Sequence, residues 1–250
     1  MLVNLNIQEK ERTILTNALS NNYSADGFSV IDYINDEKFD KVKEFAIEWV
    51  CDIFKSSGLM VSDQESIKNY HNNDKTNEIT HGDVLRARNR HTIPPKDISD
   101  ILINSSLRDA LEVMGINNFT LWDEGLGWLA FRLIRPGFND GYPFSRKDWG
   151  PGKGTISIWI PIIGFERNQT IALIPGSHLN EYESYLPENS KFIKDEYRLK
   201  NDVLDTEILR PDLEPCQAIL FSPKLVHSED VEMADSTRLS LEFRILPSPE

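Results

Sequence analysis

The pattern of apolar residues changes at about residue 119, and this change restricts the fold more than any other feature of the sequence. From there on, short apolar runs typical of β-strands alternate with turns that contain Pro, Gly and Asn. The runs are FTLWDE, WLAFRLIRP, TISIWIPII, TIALIPGS, QAILFSP and RLSLEFRIL. Short strands at this spacing are typical of a sandwich or jelly roll.

The first half of the chain has a helical pattern instead. A brief strand is predicted at GFSVIDYI, and either Asn35 or Asp36 is placed to cap the helix that follows. That helix has apolar residues at a 3.6-residue period from Phe39 to Phe54. A second helical region is predicted at about 97–114, and a short amphipathic helix at IQEKERTILTNAL. The polar segment 61–95 is predicted to be a long surface loop or lid.

No linker, repeat or low-complexity tract divides the chain. With 250 residues, of which 40% are apolar, it can bury a substantial core. We therefore predict a single α+β domain over 1–250, with a mainly helical part at 1–118 and a β core at 119–250. A polar insertion at about 179–206 interrupts the β core and is a second candidate lid.

The charge of the chain limits its partners. A formal net charge of −13 argues against nucleic acid and against an anionic membrane surface, because both bind clustered Lys and Arg. No apolar run approaches the roughly 20 residues of a membrane span, and the N-terminus lacks the basic-then-apolar layout of a signal peptide. These features predict a cytoplasmic protein that acts on a small molecule, and no feature predicts its oligomeric state.

The segment LVHSEDVEMADSTRLSLEFR carries the first candidate site. His227 ends one apolar run, and Arg238 begins the next, with Ser240 two residues further on. A hairpin would place His227 and Arg238 on neighbouring strands that face the same interior. Because a buried Arg needs a carboxylate, and its planar fork suits bidentate binding, the spacing predicts a holder for a metal and a dicarboxylic acid. The alternative is a surface His and an Arg paired with an acid of the chain, such as Glu242.

Together these segments resemble the phytanoyl-CoA dioxygenase-like group of Fe(II)/2-oxoglutarate oxygenases. The resemblance rests on FRLIRP, ISIWIPI, IPGSH and LVHS…RLSLEFR, and it covers roughly 125–247. It implies a double-stranded β-helix with helices packed outside. It also implies Fe(II) held by a His-x-Asp pair and a distal His, which matches His227. The 2-oxoglutarate cosubstrate would be held by Arg238 and Ser240.

The resemblance fails at the His-x-Asp pair. The best superposition places Ser145 on the His and Lys147 on the Asp, with Trp149 on the aromatic residue that follows. Ser is a poor ligand for Fe(II), and protonated Lys has no lone pair to donate. At 4 Å and an effective dielectric of 20, Lys147 would repel the metal by about 4 kcal/mol per unit charge.

Three alternatives follow for this site. A shift of register would make Asp148 the carboxylate ligand. The triplet His81-Gly82-Asp83 is a second His-x-Asp, although it lies in the predicted surface loop. The third alternative is a site that works without metal. Lys147 would then pair with an anionic ligand, lie on a solvated loop, or form a Schiff base with a keto acid. Trp149 is then expected to lie against the substrate.

Two functions remain open from the sequence. The chain is either an oxygenase that uses Fe(II) and 2-oxoglutarate to hydroxylate a small molecule, such as a sugar or lipid intermediate, or a relative that uses no metal. In the second case the same pocket binds or transforms an anionic small molecule, with Lys147 and Arg238 as anchors and no cofactor.

Overall fold

A computed structural model describes residues 23–72, 81–82, 84, 91–104, 106–123, 125, 127–138, 140–149, 152–186, 197–200, 207–229 and 234–248. The predicted helix at IQEKERTILTNAL lies outside these residues. Residues 187–196 and 201–206 of the predicted insertion also lie outside them. The protein is a mixture of helices and antiparallel sheets. In the part of the chain described here, no helix is long and apolar enough to cross a membrane.

Four α-helices have bounds that lie within the described residues. They are α1 (Asp36–Ser56), α2 (Gln64–Lys68), α3 (Lys96–Ile103) and α4 (Ser106–Val113). Of the two predicted caps, Asn35 and Asp36, the cap is Asn35, whose side chain accepts a hydrogen bond from the Lys38 amide at 3.1 Å. The apolar stripe of α1 is buried as its period predicts, from Phe39 to Phe54. The second predicted helical region is confirmed as α3 and α4.

In the part of the chain that the structure covers, eleven strands form three antiparallel sheets. They are β1 (Phe28–Asp32), β2 (His91–Thr92), β3 (Phe119–Leu121), β4 (Leu129–Ile134), β5 (Ile156–Ile163), β6 (Ala172–Leu173), β7 (Ser184–Tyr185), β8 (Arg198–Leu199), β9 (Gln217–Phe221), β10 (His227–Ser228) and β11 (Arg238–Pro247). The main sheet has seven strands in the order β1-β9-β5-β11-β4-β2, with β3 also paired to β11. The two smaller sheets pair β10 with β6 and β7 with β8.

The main sheet has two different faces because side chains alternate along each strand. On β11, Leu239, Leu241, Phe243 and Ile245 belong to the large core that the sheet shares with α1, α3 and α4. The alternate residues of the same strand are Arg238, Ser240, Glu242 and Arg244. A smaller apolar cluster on this second face includes Trp159 and Phe221 of the main sheet together with Leu173 of the small sheet. We call this second face the inner face.

Two sequence predictions need correction. Segment 61–95 is not simply a surface loop, because it contains α2, a 3-10 helix at Tyr70–Asn72 and β2, and it buries Ile67 and Tyr70. His227 and Arg238 do not lie on neighbouring strands, because β10 pairs with β6 in a small sheet while β11 pairs with β3, β4 and β5. The chain crosses between sheets after His227 and does not turn back as a hairpin.

Candidate functional site

The inner face carries a row of buried polar side chains, which is unusual for the interior of a sheet. Cross-strand pairs place Ser240 opposite Arg132 on β4, and Glu242 opposite Trp159 on β5. Residues directly opposite each other share a face, so these four side chains lie together with Arg238 and Arg244. The alternation in RLSLEFR thus turns every polar residue of β11 inward.

His227 and Ser145 are paired side by side through their backbones. The two residues form an isolated antiparallel bridge, in which each amide donates to the other's carbonyl at 3.0 and 3.1 Å. The imidazole of His227 is buried, and its Nδ1 lies 2.9 Å from the carbonyl of Leu225. If Nδ1 carries the proton for that bond, the lone pair is on Nε2. The predicted juxtaposition of Ser145 with His227 is therefore present.

Burial and the nearby Lys147 ammonium lower the pKa of His227 to about 4. At neutral pH the imidazole is consequently uncharged. A neutral imidazole is the form that binds a metal, and it is also the form that a buried apolar pocket tolerates.

Lys147 points into the same interior from a 3-10 helix at Lys147–Trp149. Its Nζ lies 3.6 Å from Oε1 of Glu242, and only 15% of its side chain is exposed. Burial lowers the pKa of Lys147, and Arg244 and Arg132 lower it further, while Glu242 opposes them. Lys147 is thus not a residue of a solvated loop, and its ammonium meets an acid of the chain itself.

Glu242 is the centre of a buried ion-pair network. Arg132 contacts Oε2 of Glu242 at 3.0 and 3.1 Å through Nη2 and Nε, and it lies 3.2 Å from Glu229. Arg244 lies 3.6 Å from Oε1 of Glu242. Burial would raise the pKa of Glu242, but Lys147 and Arg132 hold it well below its usual range. We call these five residues the Glu242 network.

A shift of register would make Asp148 the carboxylate ligand, but in the structure Asp148 forms an ion pair with Arg146. Arg146 donates to both of its oxygens at 2.9 Å, from Nε and Nη2. Arg146 also donates to the carbonyl of Asn180 at 3.0 Å, and its guanidinium lies 5.7 Å from the ring of Trp149. A bidentate pair of this kind satisfies the carboxylate without a metal. The roles predicted for Asp148 as a ligand and for Trp149 against a substrate remain predictions.

Arg238 lies at the other end of the inner face and is completely buried. Its Nη1 donates to the carbonyl of Gln169 at 3.1 Å, and its guanidinium lies 5.5 Å from the ring of Trp159. Oγ of Ser240 and Nε1 of Trp159 are also buried, and neither has a hydrogen-bond partner among the residues that the structure describes. A buried cation thus lies beside two polar atoms that can bond to a ligand.

His81 of the second His-x-Asp triplet is buried, whereas the triplet was predicted to be exposed. His81 is only 3% exposed, and its ring nitrogens lie 3.2 Å from the Tyr70 hydroxyl and 3.4 Å from an Asp140 oxygen. Asp140 in turn accepts from Arg135 at 2.7 Å. Asp83 lies outside the described residues. The contact of His81 with Tyr70 and Asp140 explains why this polar side chain is buried.

The side chains at the candidate metal position do not fit iron. Three ligands at fixed angles are needed, and in the predicted superposition Ser145 and Lys147 take the places of the His and the Asp. Across the residues described, no group of three or more His, Cys, Asp or Glu side chains is placed to hold a metal. The cations that face the interior carboxylates are the side chains of Arg132, Lys147 and Arg244.

Sequence reasoning missed most of the Glu242 network. Arg132 and Glu229 were not singled out, and Glu242 was considered only as a partner for Arg238. The signal was present in two places: the polar residues of RLSLEFR recur at every second position, and FRLIRP places an Arg inside a buried strand. A buried Arg requires a buried acid, so both patterns indicated an internal ion pair.

Solved structures share this fold. The non-heme monooxygenase ThoJ, in its apo form, has a TM-score of 0.59 at 11% identity, over 92% of this chain and 79% of ThoJ. EvdO2 from Micromonospora carbonacea var. aurantiaca, complexed with 2-oxoglutarate, has a TM-score of 0.56 at 12% identity, over 92% and 90% of the two chains.

A third similar structure is the epimerase SnoN, in complex with Fe3+, alpha ketoglutarate and nogalamycin RO. It has a TM-score of 0.55 at 12% identity, over 94% of this chain and 84% of SnoN. At such identities the similarity shows the fold alone. No protein-family model matches the sequence, and a search of curated proteins finds no relative. The resemblance to the phytanoyl-CoA dioxygenase-like group therefore stays a prediction.

Proposed function

We propose that this protein uses the double-stranded β-helix of the Fe(II)/2-oxoglutarate oxygenases to bind a small dicarboxylate, such as 2-oxoglutarate, without iron. We also propose that residues 1–250 form one cytoplasmic domain that acts on a small molecule. Two solved structures with the same fold hold 2-oxoglutarate, which makes this ligand the natural first candidate.

The observation that carries the proposal is the cluster of Arg238, Ser240 and Trp159. A guanidinium presents its donors in a plane that matches a carboxylate, and the Ser240 hydroxyl and the Trp159 indole add two neutral donors beside it. A charge-assisted hydrogen bond from a buried donor is about twice as strong as a neutral one. The cluster is therefore suited to an anion that carries several oxygens.

We propose a site without iron because of the Glu242 network. Lys147 and Arg132 already neutralise Glu242, so the interior carboxylates are not available as ligands without breaking buried ion pairs. A divalent cation at this position would also meet the ammonium of Lys147. The protein's own cation thus replaces the metal as the counter-ion of the inner face.

A second function, the oxygenase that hydroxylates a sugar or lipid intermediate, is favoured by one observation. His227 is neutral and buried and faces the same interior as Glu242, as a distal metal ligand would. This function requires Asp148 to leave Arg146 and approach His227. Iron would then supply oxygen activation when bound, with 2-oxoglutarate as its cosubstrate.

Thermal unfolding with and without 2-oxoglutarate tests the first proposal. At about 100 times Kd, a ligand of the folded state stabilises it by about 2.7 kcal/mol, which corresponds to roughly 5 to 10 °C for a chain of this size. Arg238→Leu should abolish the shift, and Arg238→Lys should reduce it sharply, because Lys lacks the planar fork. All samples need the same ionic strength, because general screening imitates weak anion binding.

A matched pair of Ser variants separates the pocket from the rest of the inner face. Ser240 and Ser157 are both buried with hydroxyls that lack a partner in the described part of the chain, but Ser157 pairs with Arg244 at the far end. Ser240→Ala should therefore weaken the ligand-induced shift while Ser157→Ala leaves it unchanged. Equal effects of the two variants, or no shift in the wild type, would refute the dicarboxylate pocket.

A further inference from the structure

Two cations of the inner face are separated along β11. Arg238 begins the strand, and the Nζ atom of Lys147 lies 3.6 Å from Oε1 of Glu242, which is four residues further on. Four residues of an extended strand cover roughly 13 Å, so the two cations lie at about this spacing along the sheet. A single carboxylate is too small to contact both of them.

The ammonium of Lys147 keeps its hydrogen-bond donors in the presence of Glu242. At 3.6 Å their contact is an ion pair and is longer than a hydrogen bond, and an ammonium has three donors. Glu242 also contacts Arg132 at 3.0 Å and Arg244 at 3.6 Å, so three cations surround one carboxylate and reduce its repulsion of a second. Lys147 is thus placed to bind a carboxylate that belongs to a ligand.

Trp159 forms a wall between the two cations. Its backbone is paired with Glu242, but its ring lies 5.5 Å from the guanidinium of Arg238, so the indole extends along the inner face from one level to the other. An indole face offers apolar contact to methylene groups. The floor beside the indole is low, because Ser240 and Pro161, opposite each other on β11 and β5, are both small. This strip is suited to a short chain of methylene groups.

Two buried polar atoms of the same strip indicate a ligand that carries oxygen atoms. Oγ of Ser240 and Nε1 of Trp159 both lack a hydrogen-bond partner among the residues that the structure describes, and both side chains are buried. Buried polar atoms in proteins are nearly always bonded to protein, water or ligand. A carboxylate on Arg238 can accept from these two donors without any contribution from Lys147. The two ends of a ligand would then have separate partners.

We propose that Lys147 binds the second carboxylate of a dicarboxylate whose first carboxylate lies on Arg238. This inference rests on the dicarboxylate pocket proposed above and specifies its ligand. With hydrogen bonds of about 2.9 Å at both ends, a spacing of roughly 13 Å leaves about 7 Å between the outermost oxygens of the ligand. An extended chain of five carbons, as in glutarate or 2-oxoglutarate, has about this length. Because Lys147 and Arg238 contact only the carboxylates, the pocket selects chain length and does not require an oxo group.

Calorimetric titration of four ligands at equal ionic strength tests the proposal. The ligands are 2-oxoglutarate, glutarate, which lacks the oxo group, pentanoate, which lacks the second carboxylate, and malonate, which is shorter. Glutarate and 2-oxoglutarate should bind with Kd values within about threefold of each other. Pentanoate and malonate should bind at least about tenfold more weakly, because each loses a charge-assisted hydrogen bond at one end.

Lys147→Met should raise the Kd of glutarate to about that of pentanoate and leave the Kd of pentanoate unchanged. Retained binding of pentanoate also shows that the variant is folded. Lys153→Met is the matched control, since Lys153 is close in the chain but exposed, and it should leave every Kd unchanged. The comparison of glutarate with pentanoate in the wild type does not depend on any variant.

Three results would overturn this proposal and leave the Arg238 pocket in place. They are binding of 2-oxoglutarate without binding of glutarate, equal Kd values for glutarate and pentanoate in the wild type, and equal Kd values for glutarate and malonate. Loss of glutarate affinity in Lys153→Met to the same degree as in Lys147→Met would also contradict it. Absence of binding by every ligand would refute the Arg238 pocket and this proposal together.

Discussion

Glu242→Gln is expected to destabilise the protein by about 3 to 5 kcal/mol, because it removes the central acid of a buried ion-pair network. Arg132 would retain Glu229, but Lys147 would lose the only carboxylate placed within 4 Å of it among the described residues, and Arg244 would lose its contact with Glu242. Removing one partner of a buried pair leaves an uncompensated charge in a poorly solvated interior. Urea unfolding of wild type and variant, compared at pH 7, measures the difference.

The exposed pair of Glu183 with Lys200 supplies the matched control. Its atoms lie only 2.6 Å apart, closer than any contact to Glu242, yet both side chains are well exposed to solvent. Glu183→Gln should therefore change the free energy of unfolding by less than about 1 kcal/mol. Adding Lys147→Met to Glu242→Gln should recover part of the loss, since it removes one unpaired charge. Equal effects of the Glu183 and Glu242 variants would contradict the network.

The double variant Ser145→His with Lys147→Asp is expected to gain Fe(II) affinity that the wild type lacks. Ser145 already lies opposite His227, and Lys147 already points toward the inner face, so the two changes would complete a face of two imidazoles and one carboxylate. Removal of the ammonium alone relieves a repulsion of about 4 kcal/mol per unit charge, which corresponds to roughly a thousandfold in affinity. Anaerobic titration with Fe(II) measures the gain.

The single variants are the controls for this experiment. Each should gain much less than the double variant, because neither completes three ligands. Arg146→Leu tests the competing register, since it releases the carboxylate of Asp148 from its only bidentate partner in the described chain. Iron binding by Arg146→Leu, combined with none by the double variant, would assign the ligand role to Asp148.

Periodicity predicted the secondary structure well. The apolar period of 3.6 located α1, and the two candidate caps, Asn35 and Asp36, located its start to within one residue. Each predicted apolar run after residue 119 contains a strand, because a buried strand needs a continuous or alternating apolar sequence. Segment 61–95 was less predictable, since its burial depends on contacts such as that between His81 and Tyr70, which no local pattern reveals.

Several residues of the candidate site could be predicted from the sequence, but the ion pairs between them could not. The superposition placed Ser145 beside His227, and the structure has this contact. The pairing of Lys147 with Glu242 could not be predicted, because 95 residues separate them and only the sheet register brings them together. The partner of Asp148 is its near neighbour Arg146, but the sequence alone does not distinguish a local ion pair from a ligand that faces the interior.

Calorimetric titration of 2-oxoglutarate tests the central claim most directly. One sample is treated with a chelator and dialysed, and the other contains Fe(II) under anaerobic conditions. Because the proposed contacts come from Arg238, Ser240 and Trp159, we predict the same Kd in both samples, and loss of binding in Arg238→Leu. Binding that appears only with Fe(II), and that disappears in His227→Ala, would contradict a pocket in which the Lys147 ammonium has replaced the metal.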